Sequence, residues 1–453
     1  MKTMRNFITR FTKGILGFSL FICLTPVNAQ TAPTIGDGSI GNPYQIATLE
    51  NLIWLSLSDT VWDEHFIQVA DIEADTLSSW TPIGNNSIKF SGSYDGQNFS
   101  ISNLTISQPS NNYIGLFGYA WGIDEFNTVR LINIRLDSIS VSGADYTAGL
   151  CSFASNSYIS NIKINGSISG NDLTGGVVGR NYGQGFFTKV EIYNCSFTGT
   201  VNGHTWVGGI TASNDGSYGG SAKVERCYSN AIIHGYSYAG GLIGINSGTS
   251  GSNTISNCYS LGTVTRTAGT NVGIGALMGR NTDGYIEKCY STGSVFYGST
   301  VSNKGFIGDE YNPGTYSMNF FDSTASNQTS AIGASAKTTS EMNEPCTFIS
   351  AGWDFEKESI NGTNDIWQID DTNNYHYPFL GIEDSLVLLD RHNAMNFDGI
   401  DDYIAIESNN KIDLINNYTL EAWIKPESFN HNAGIISKYQ NTSSDGYLLR
   451  LSN

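Results

Sequence analysis

The chain is poor in charge, and poorest in positive charge. Only 14% of its 453 residues are charged, with 23 Lys and Arg against 41 Asp and Glu, for a formal charge of −18. A surface that acidic repels phosphate backbones, so nucleic acid and anionic membrane are poor partners and polyanionic sugars are disfavoured. Catalytic motifs are missing as well: there is no Walker loop, GxSxG elbow, HExxH pair or dinucleotide fingerprint. His204, His234 and His376 stand isolated. No CxxC or paired histidine accompanies the cysteines, which argues against a metal site. Nor is there an apolar run of the about 18 residues a membrane span requires. The run "ILGFSLFICL" is far shorter and follows Lys2, Arg5, Arg10 and Lys13. With the small residues of "VNA" after it, it predicts a signal peptide over 1–29 and no transmembrane span once that is removed.

What is present in abundance is Gly, Ser, Thr and Asn, together with 24 Tyr and 22 Phe. This is the composition of extended β structure with many turns. The segments "NCSFTGTV", "RCYSNAII", "NCYSLGTV" and "KCYSTGSV" align Cys195, Cys227, Cys258 and Cys289 at steps of 32, 31 and 31 residues. The same column extends upstream through Ile162, Ile134 and Leu104, and downstream to Phe320. A position that accepts Leu, Ile, Cys or Phe is an interior position.

The next column carries Arg135 and Lys163, then Tyr228, Tyr259 and Tyr290, continued by Phe321. Because unpaired charge is not buried cheaply, this column is expected to face water. Period-two alternation returns Ile106, Leu136, Ile164 and Phe197 to the interior. That inward column turns polar at Ser229, Ser260 and Ser291.

Each repeat also holds a glycine segment, such as "GGVVGRN", "GGITASN", "GGLIGIN" and "GALMGRN". Such segments suit sharp corners or close backbone approach. The following Asn181, Asn214, Asn246 and Asn281 are read as structural turn residues whose amides can also stack in a ladder. One rung of about 31 residues cannot bury its own apolar face, so neighbours must stack on it. The predicted fold is therefore all-β, a parallel β-solenoid with rungs about 4.8 Å apart. Adjacent thiols at that spacing, with parallel Cα–Cβ bonds, miss disulfide geometry. Cys195, Cys227, Cys258 and Cys289 are thus expected to form a reduced, buried ladder.

These residues resemble the GLUG-motif repeats of secreted bacterial proteins, over about residues 110–310. The resemblance implies a pectate-lyase-like β-helix, as found in surface adhesins and some immunoglobulin A peptidases. Those peptidases place their chemistry outside the repeats, so the resemblance implies no active site here. The expected organisation is an N-terminal cap and first rungs over 30–100, the solenoid over 101–322, and a closing segment and linker over 323–390. From 391 to 453, "AMNFDGIDDYIAI", "YTLEAWIKP" and "GYLLRLSN" resemble the start of a laminin-G-like, concanavalin-A-like jelly roll that looks truncated. Asp398, Asp401 and Asp402 are weak candidates for calcium in that domain, although Asp-Gly is first a hairpin turn. Elsewhere no cofactor is expected.

Glu225 and Glu287 share a column, but Ser256 separates them, so the repeat builds no carboxylate pair for glycoside hydrolysis. Arg180 and Arg280 are expected at a solvated corner. Tyr228, Tyr259 and Tyr290 are candidates for stacking on sugar rings, set against a purely structural aromatic stack. The expected function is a non-enzymatic, adhesin-like protein, secreted or on the outer surface of a Gram-negative bacterium. It would present a module for polysaccharide, glycan or a cell-surface protein on a stiff stalk. The alternatives are a polysaccharide lyase or glycoside hydrolase using a β-helix groove or a domain outside the chain, and an accessory region of a secreted protease.

Overall fold

The computed structural model describes residues 29–380, apart from 78–79, 124–126, 186–187, 249–251, 357 and 371–373, and two further strands at Gly434–Lys438 and Tyr447–Arg450. The chain divides into two units, 1–388 and 389–453. In the second, those two strands pair antiparallel. The rest of the expected jelly roll, with Asp398, Asp401 and Asp402, lies outside the described residues, as does nearly all of the expected signal peptide.

The first unit is a parallel β-solenoid of about eight turns. Three sheets form its walls, one of 22 strands, one of seven and one of five among the described residues, all parallel except where Val295–Tyr297 pairs antiparallel with Thr300–Val301. A representative rung runs through Thr174–Gly175 in the five-stranded sheet, Val178–Gln184 in the seven-stranded sheet and Lys189–Asn202 in the large sheet. At the N-terminal end, the helix Leu49–Leu57 is capped by the Thr48 hydroxyl and turns Leu52, Ile53 and Leu55 into the core. It shields the first strands, whose edge would otherwise be open to pairing.

Each rung bends just before the thiol column. Asn133, Asn161, Asn194, Arg226, Asn257, Lys288 and Met318 all have φ between 49° and 56° there. Asparagine tolerates this left-handed conformation best, and in three rungs it adds an outer ladder: Asn161 donates to Asn133 at 2.8 Å and Asn194 to Asn161 at 2.5 Å.

The register corrects the expected columns at both ends. Ile101 pairs with Leu136, and Ile106 with Val141. Leu104 and Ile106 are therefore interior, but further along the strand than expected. Against the next rung, Leu136 pairs with Ile164 and Ile139 with Gly166, so the upstream strand carries an extra residue, and Ser138 there is left-handed at φ 56°. At the other end Phe320, not Phe321, continues the tyrosine column, since Tyr290 pairs with Phe320 and Ser291 with Phe321. Asn319 takes the position after Cys289 and accepts from its backbone N–H at 3.0 Å.

The polar inward serines have a steric cause. A methyl group at Gly209 would lie 2.0 Å from the Ser229 hydroxyl, and one at Gly241 equally close to that of Ser260. Ser291 donates to the Gly305 carbonyl at 2.6 Å. Opposite walls pinch together here, so the small hydroxyl faces bare backbone.

Two expectations about side chains are corrected. Asn181, Asn214, Asn246 and Asn281 lie within strands, not at turns, and are fully buried. Their amides run in one line, Asn181 donating to Asn214 at 2.7 Å, Asn214 to Asn246 and Asn246 to Asn281 at 2.8 Å each. The tyrosine column was expected to face water, yet Tyr259 is 1% and Tyr290 0% exposed, with Tyr228 half-buried. The cover is the segment after the solenoid, with short helices Thr339–Met342 and Pro345–Ile349 and a hairpin of Trp367–Gln368 with Phe379–Leu380. Its Phe348, Trp353, Trp367 and Tyr377 form a second apolar core against Tyr259, Tyr290 and Phe320.

Candidate functional site

The two aromatic regions of the solenoid differ in how their rings are used. In the tyrosine column, successive rings stack at 4.9 Å with interplanar angles of 6° and 7°. Tyr259 and Tyr290 spend both faces on neighbouring rings. The covering segment is keyed on by polar contacts: the Tyr290 hydroxyl donates to the Pro378 carbonyl at 2.5 Å, and Tyr377 to Asp322 at 2.7 Å. Trp353 donates to the Met318 carbonyl at 3.0 Å and Trp367 to Asn257 at 3.3 Å. Burial and stacking cover Tyr259 and Tyr290 on both faces, while the half-buried Tyr228 ends the stack with one face on Tyr259.

The seven-stranded sheet carries the other region on its outer side. Its register aligns Tyr119, Phe153 and Arg180 in one outward column and sets Trp121 opposite Ser155 and Tyr182 in the next. Tyr119 stacks on Phe153 at 4.4 Å and 17°, and Trp121 lies nearly parallel to both, at 10° and 9°. Cations close both ends of the stack. The Lys89 ammonium is 5.6 Å from the Tyr119 ring, and the Arg180 guanidinium is 5.7 Å from Phe153 and 4.2 Å from Tyr182.

Arg180 donates to Asp215 at 2.6 Å, and Asp215 in turn accepts from Ser217. Burial opposes the arginine charge, but the Asp215 carboxylate outweighs it and raises the Arg180 pKa. Burial also pushes the Tyr119 phenol up to about 12. Beside this column the chain turns through left-handed residues, including Tyr113 (φ 62°), Tyr146 (φ 57°) and Tyr238 (φ 50°). Bulky side chains rarely adopt that conformation; here Tyr113 and Tyr146 stack at 4.7 Å and 15°. Tyr119 and Phe153 form the buried floor, whereas Trp121, Tyr113, Tyr146, Tyr182 and Arg180 stay partly accessible.

Repeat analysis passed over these aromatic residues, whose columns change residue type between rungs, and singled out only Arg180. It and Arg280 were expected at a solvated corner, and both instead lie on strands, paired and packed. Arg280 donates to Asp309 through Nε at 2.8 Å and covers the Tyr238 ring at 4.2 Å. Glu225 pairs with Lys223 at 2.5 Å, and Glu287 accepts from Tyr285 at 2.8 Å.

Cys195, Cys227, Cys258 and Cys289 are buried and free. Each thiol donates to the carbonyl two residues before it, at 3.1 to 3.2 Å. The backbone N–H of Cys195 donates to the Cys227 sulfur at 3.4 Å, and that of Cys227 to the Cys258 sulfur at 3.3 Å. Burial pushes the Cys195 and Cys258 thiols well above the ordinary range. Cys151 is buried and Cys346 exposed, both free.

Residues 170–202 match the family described as the GLUG motif. The chain is 33% identical over 163 residues to halomucin of Haloquadratum walsbyi, covering 33% of this chain and 2% of that protein. It is 26% identical over 390 residues to a protein of Evansella cellulosilytica whose name proposes a Gly-rich membrane protein, covering 71% of this chain and 44% of that one. The chain thus spans less than half the length of either relative. A solved structure from Bacteroides ovatus, named as a proposed immunoglobulin A1 protease, aligns over 76% of this chain and 94% of its own, at 16% identity and a TM-score of 0.45. The chain is a β-solenoid protein carrying the GLUG motif. Among the described residues no helix is long and apolar enough to cross a membrane.

Proposed function

We propose that the chain is a non-enzymatic, adhesin-like protein of the cell exterior whose solenoid is a stiff carrier and binds a neutral glycan on its aromatic–arginine face. One observation carries this reading: the partly accessible Trp121, Tyr113, Tyr146 and Tyr182 rings, set around the buried Tyr119–Phe153 stack beside the Arg180–Asp215 pair. Rings offer apolar contact to the C–H face of a sugar, and the ion pair offers a donor and an acceptor to its hydroxyls. On a molecule of charge −18, Lys89 and Arg180 balance Asp145 and Asp215 around the rings. Local neutrality of this kind favours an uncharged ligand.

Export by a cleaved leader over 1–29, display on a Gram-negative outer surface and a laminin-G-like recognition module over 391–453 belong to the same proposal. The name of the Evansella relative, a membrane protein, supports the surface address. The test is a glycan array followed by affinity electrophoresis, comparing the chain with a Trp121→Ala variant. Binding is expected to weaken at least about tenfold, or ~1.4 kcal/mol, with the melting transition little changed. Failure of the unaltered chain to bind any neutral glycan, or release of reducing sugars from one, would defeat this reading.

A further inference from the structure

The solenoid makes left-handed turns at two corners and fills them with different residues. Before the thiol column the position is held by Asn133, Asn161, Asn194 and Asn257 among others, the type that tolerates this backbone best. Before the five-stranded sheet the same conformation is held by Tyr113, Tyr146, Leu173, Trp206 and Tyr238, with φ between 50° and 62°. These five lie opposite one another in successive rungs, since Ile114 pairs with Thr147, Thr147 with Thr174, Thr174 with Val207 and Val207 with Ala239. Bulky side chains rarely adopt this backbone, and a turn alone would be served by Gly or Asn. The residues are therefore kept for their side chains. Leu173 is buried, whereas the four aromatic ones stay partly accessible.

Beside this column a second feature occurs twice. Arg180 and Arg280 share one outward column of the seven-stranded sheet, linked through Ser213 and Ile245. They stand three rungs apart, or about 14 Å at about 4.8 Å per rung. Each guanidinium lies 4.2 Å from a tyrosine ring, that of Tyr182 for Arg180 and that of Tyr238 for Arg280. Each also pairs with an aspartate of the next rung, Asp215 and Asp309, so both ends are locally neutral. The two arginine side chains remain 27% and 25% exposed, within reach of a ligand.

We propose that the glycan face is one end of a longer track, and that its ligand is a linear neutral polysaccharide lying along the solenoid axis. This rests on the glycan reading above and adds length and direction to it. Trp121, Tyr146, Tyr182, Trp206, Tyr238 and Arg280 give six consecutive rungs a partly accessible ring or guanidinium each. An extended chain of pyranose rings advances by close to one rung per ring, so a hexasaccharide spans them. Rings meet its C–H faces and the Arg–Asp pairs meet its hydroxyls. Two weak ends joined by one chain raise affinity through effective concentration, whereas a single terminal sugar uses one end alone.

The probes are cello-, xylo- and manno-oligosaccharides of two to eight sugars, titrated against the chain. In a series that binds, affinity is expected to rise at least about tenfold from trimer to hexamer and then level off. Tyr238→Asn removes the far ring while keeping a residue suited to the left-handed turn, and is expected to return the hexamer to the trimer's affinity. Trp206→Asn, midway along, is the second variant should Tyr238→Asn fail to fold, with the same loss expected. A hexamer no tighter than the trimer, or a folded Asn variant that keeps full hexamer affinity, would overturn the track. If Trp121→Ala still weakens binding in that case, the single glycan site stands and only its extension falls. Binding by none of the three series would also overturn the track, while the array decides the glycan reading separately.

Discussion

The tyrosine column and the Trp121 face are both aromatic surfaces on the outside of a parallel sheet, but they do opposite things. The column repeats with every rung, stacks ring on ring at 4.9 Å and is roofed by Trp353, Trp367 and Tyr377. The other face occupies equivalent positions of successive rungs but changes residue type at each, from Tyr119 to Phe153 to Arg180, and its rim stays partly accessible. Regular recurrence marks residues that serve their neighbours within the coil, whereas a site for a partner arises where the recurrence is broken.

The sharpest way to break this contrast is to remove the roof. Trp367→Ala deletes a fully buried indole touching Tyr259, Tyr290 and Trp353. A loss of about 3–5 kcal/mol is expected from denaturant unfolding, with new protease cleavage after residue 338. Unchanged stability would mean that the segment is not seated on the column. Next in size is Asn214→Leu, which removes the middle of the buried amide line and strands its partners Asn181 and Asn246. About 1–3 kcal/mol for each orphaned amide is expected, read as a fall in the denaturation midpoint.

Alkaline titration separates the regions by burial. Phenols whose folded pKa is raised contribute stability that is fully present below their unfolded pKa of about 10 and is lost as pH rises through the folded value. Burial raises Tyr377 beneath the roof, aided by Asp322, and likewise Tyr316 at the end of the amide line, aided by Glu310. Stability should hold to about pH 10 and then decline, with tyrosinate absorbance appearing late. A flat profile through pH 12 would contradict this. Smallest of all, Trp121→Ala is expected to change unfolding by about 1 kcal/mol or less, because a partly accessible ring gives up little burial. Its effect should instead appear in glycan affinity. A large stability loss there would recast the face as structural.

Much of the architecture is readable from recurrence alone. Columns through Ile162, Cys195, Cys227, Cys258 and Cys289 identify stacked rungs because only an interior position alternates Ile with Cys over so many repeats. What defeated the columns at their ends was local: Ile101 rather than Ile106 lies opposite Leu136, five places away, and one fewer residue between Cys289 and Asn319 moves Phe320 by one place. The asparagines were assigned to turns because Asn favours left-handed backbone, yet full burial and mutual hydrogen bonds place them in strands. Burial of Tyr259 and Tyr290 was not legible, since the residues that cover them lie far along the chain and share no repeat with them.

By itself, then, the sequence determined the coil and which side chains line its interior. Those properties follow from near-neighbour chemistry repeated at a near-constant step. Only the tertiary structure decided which outer surfaces remain available, and that Lys89, Tyr119, Phe153 and Arg180 form one stack. Burial from outside and contacts between unlike rungs depend on where distant segments meet in space, and no periodic pattern encodes that.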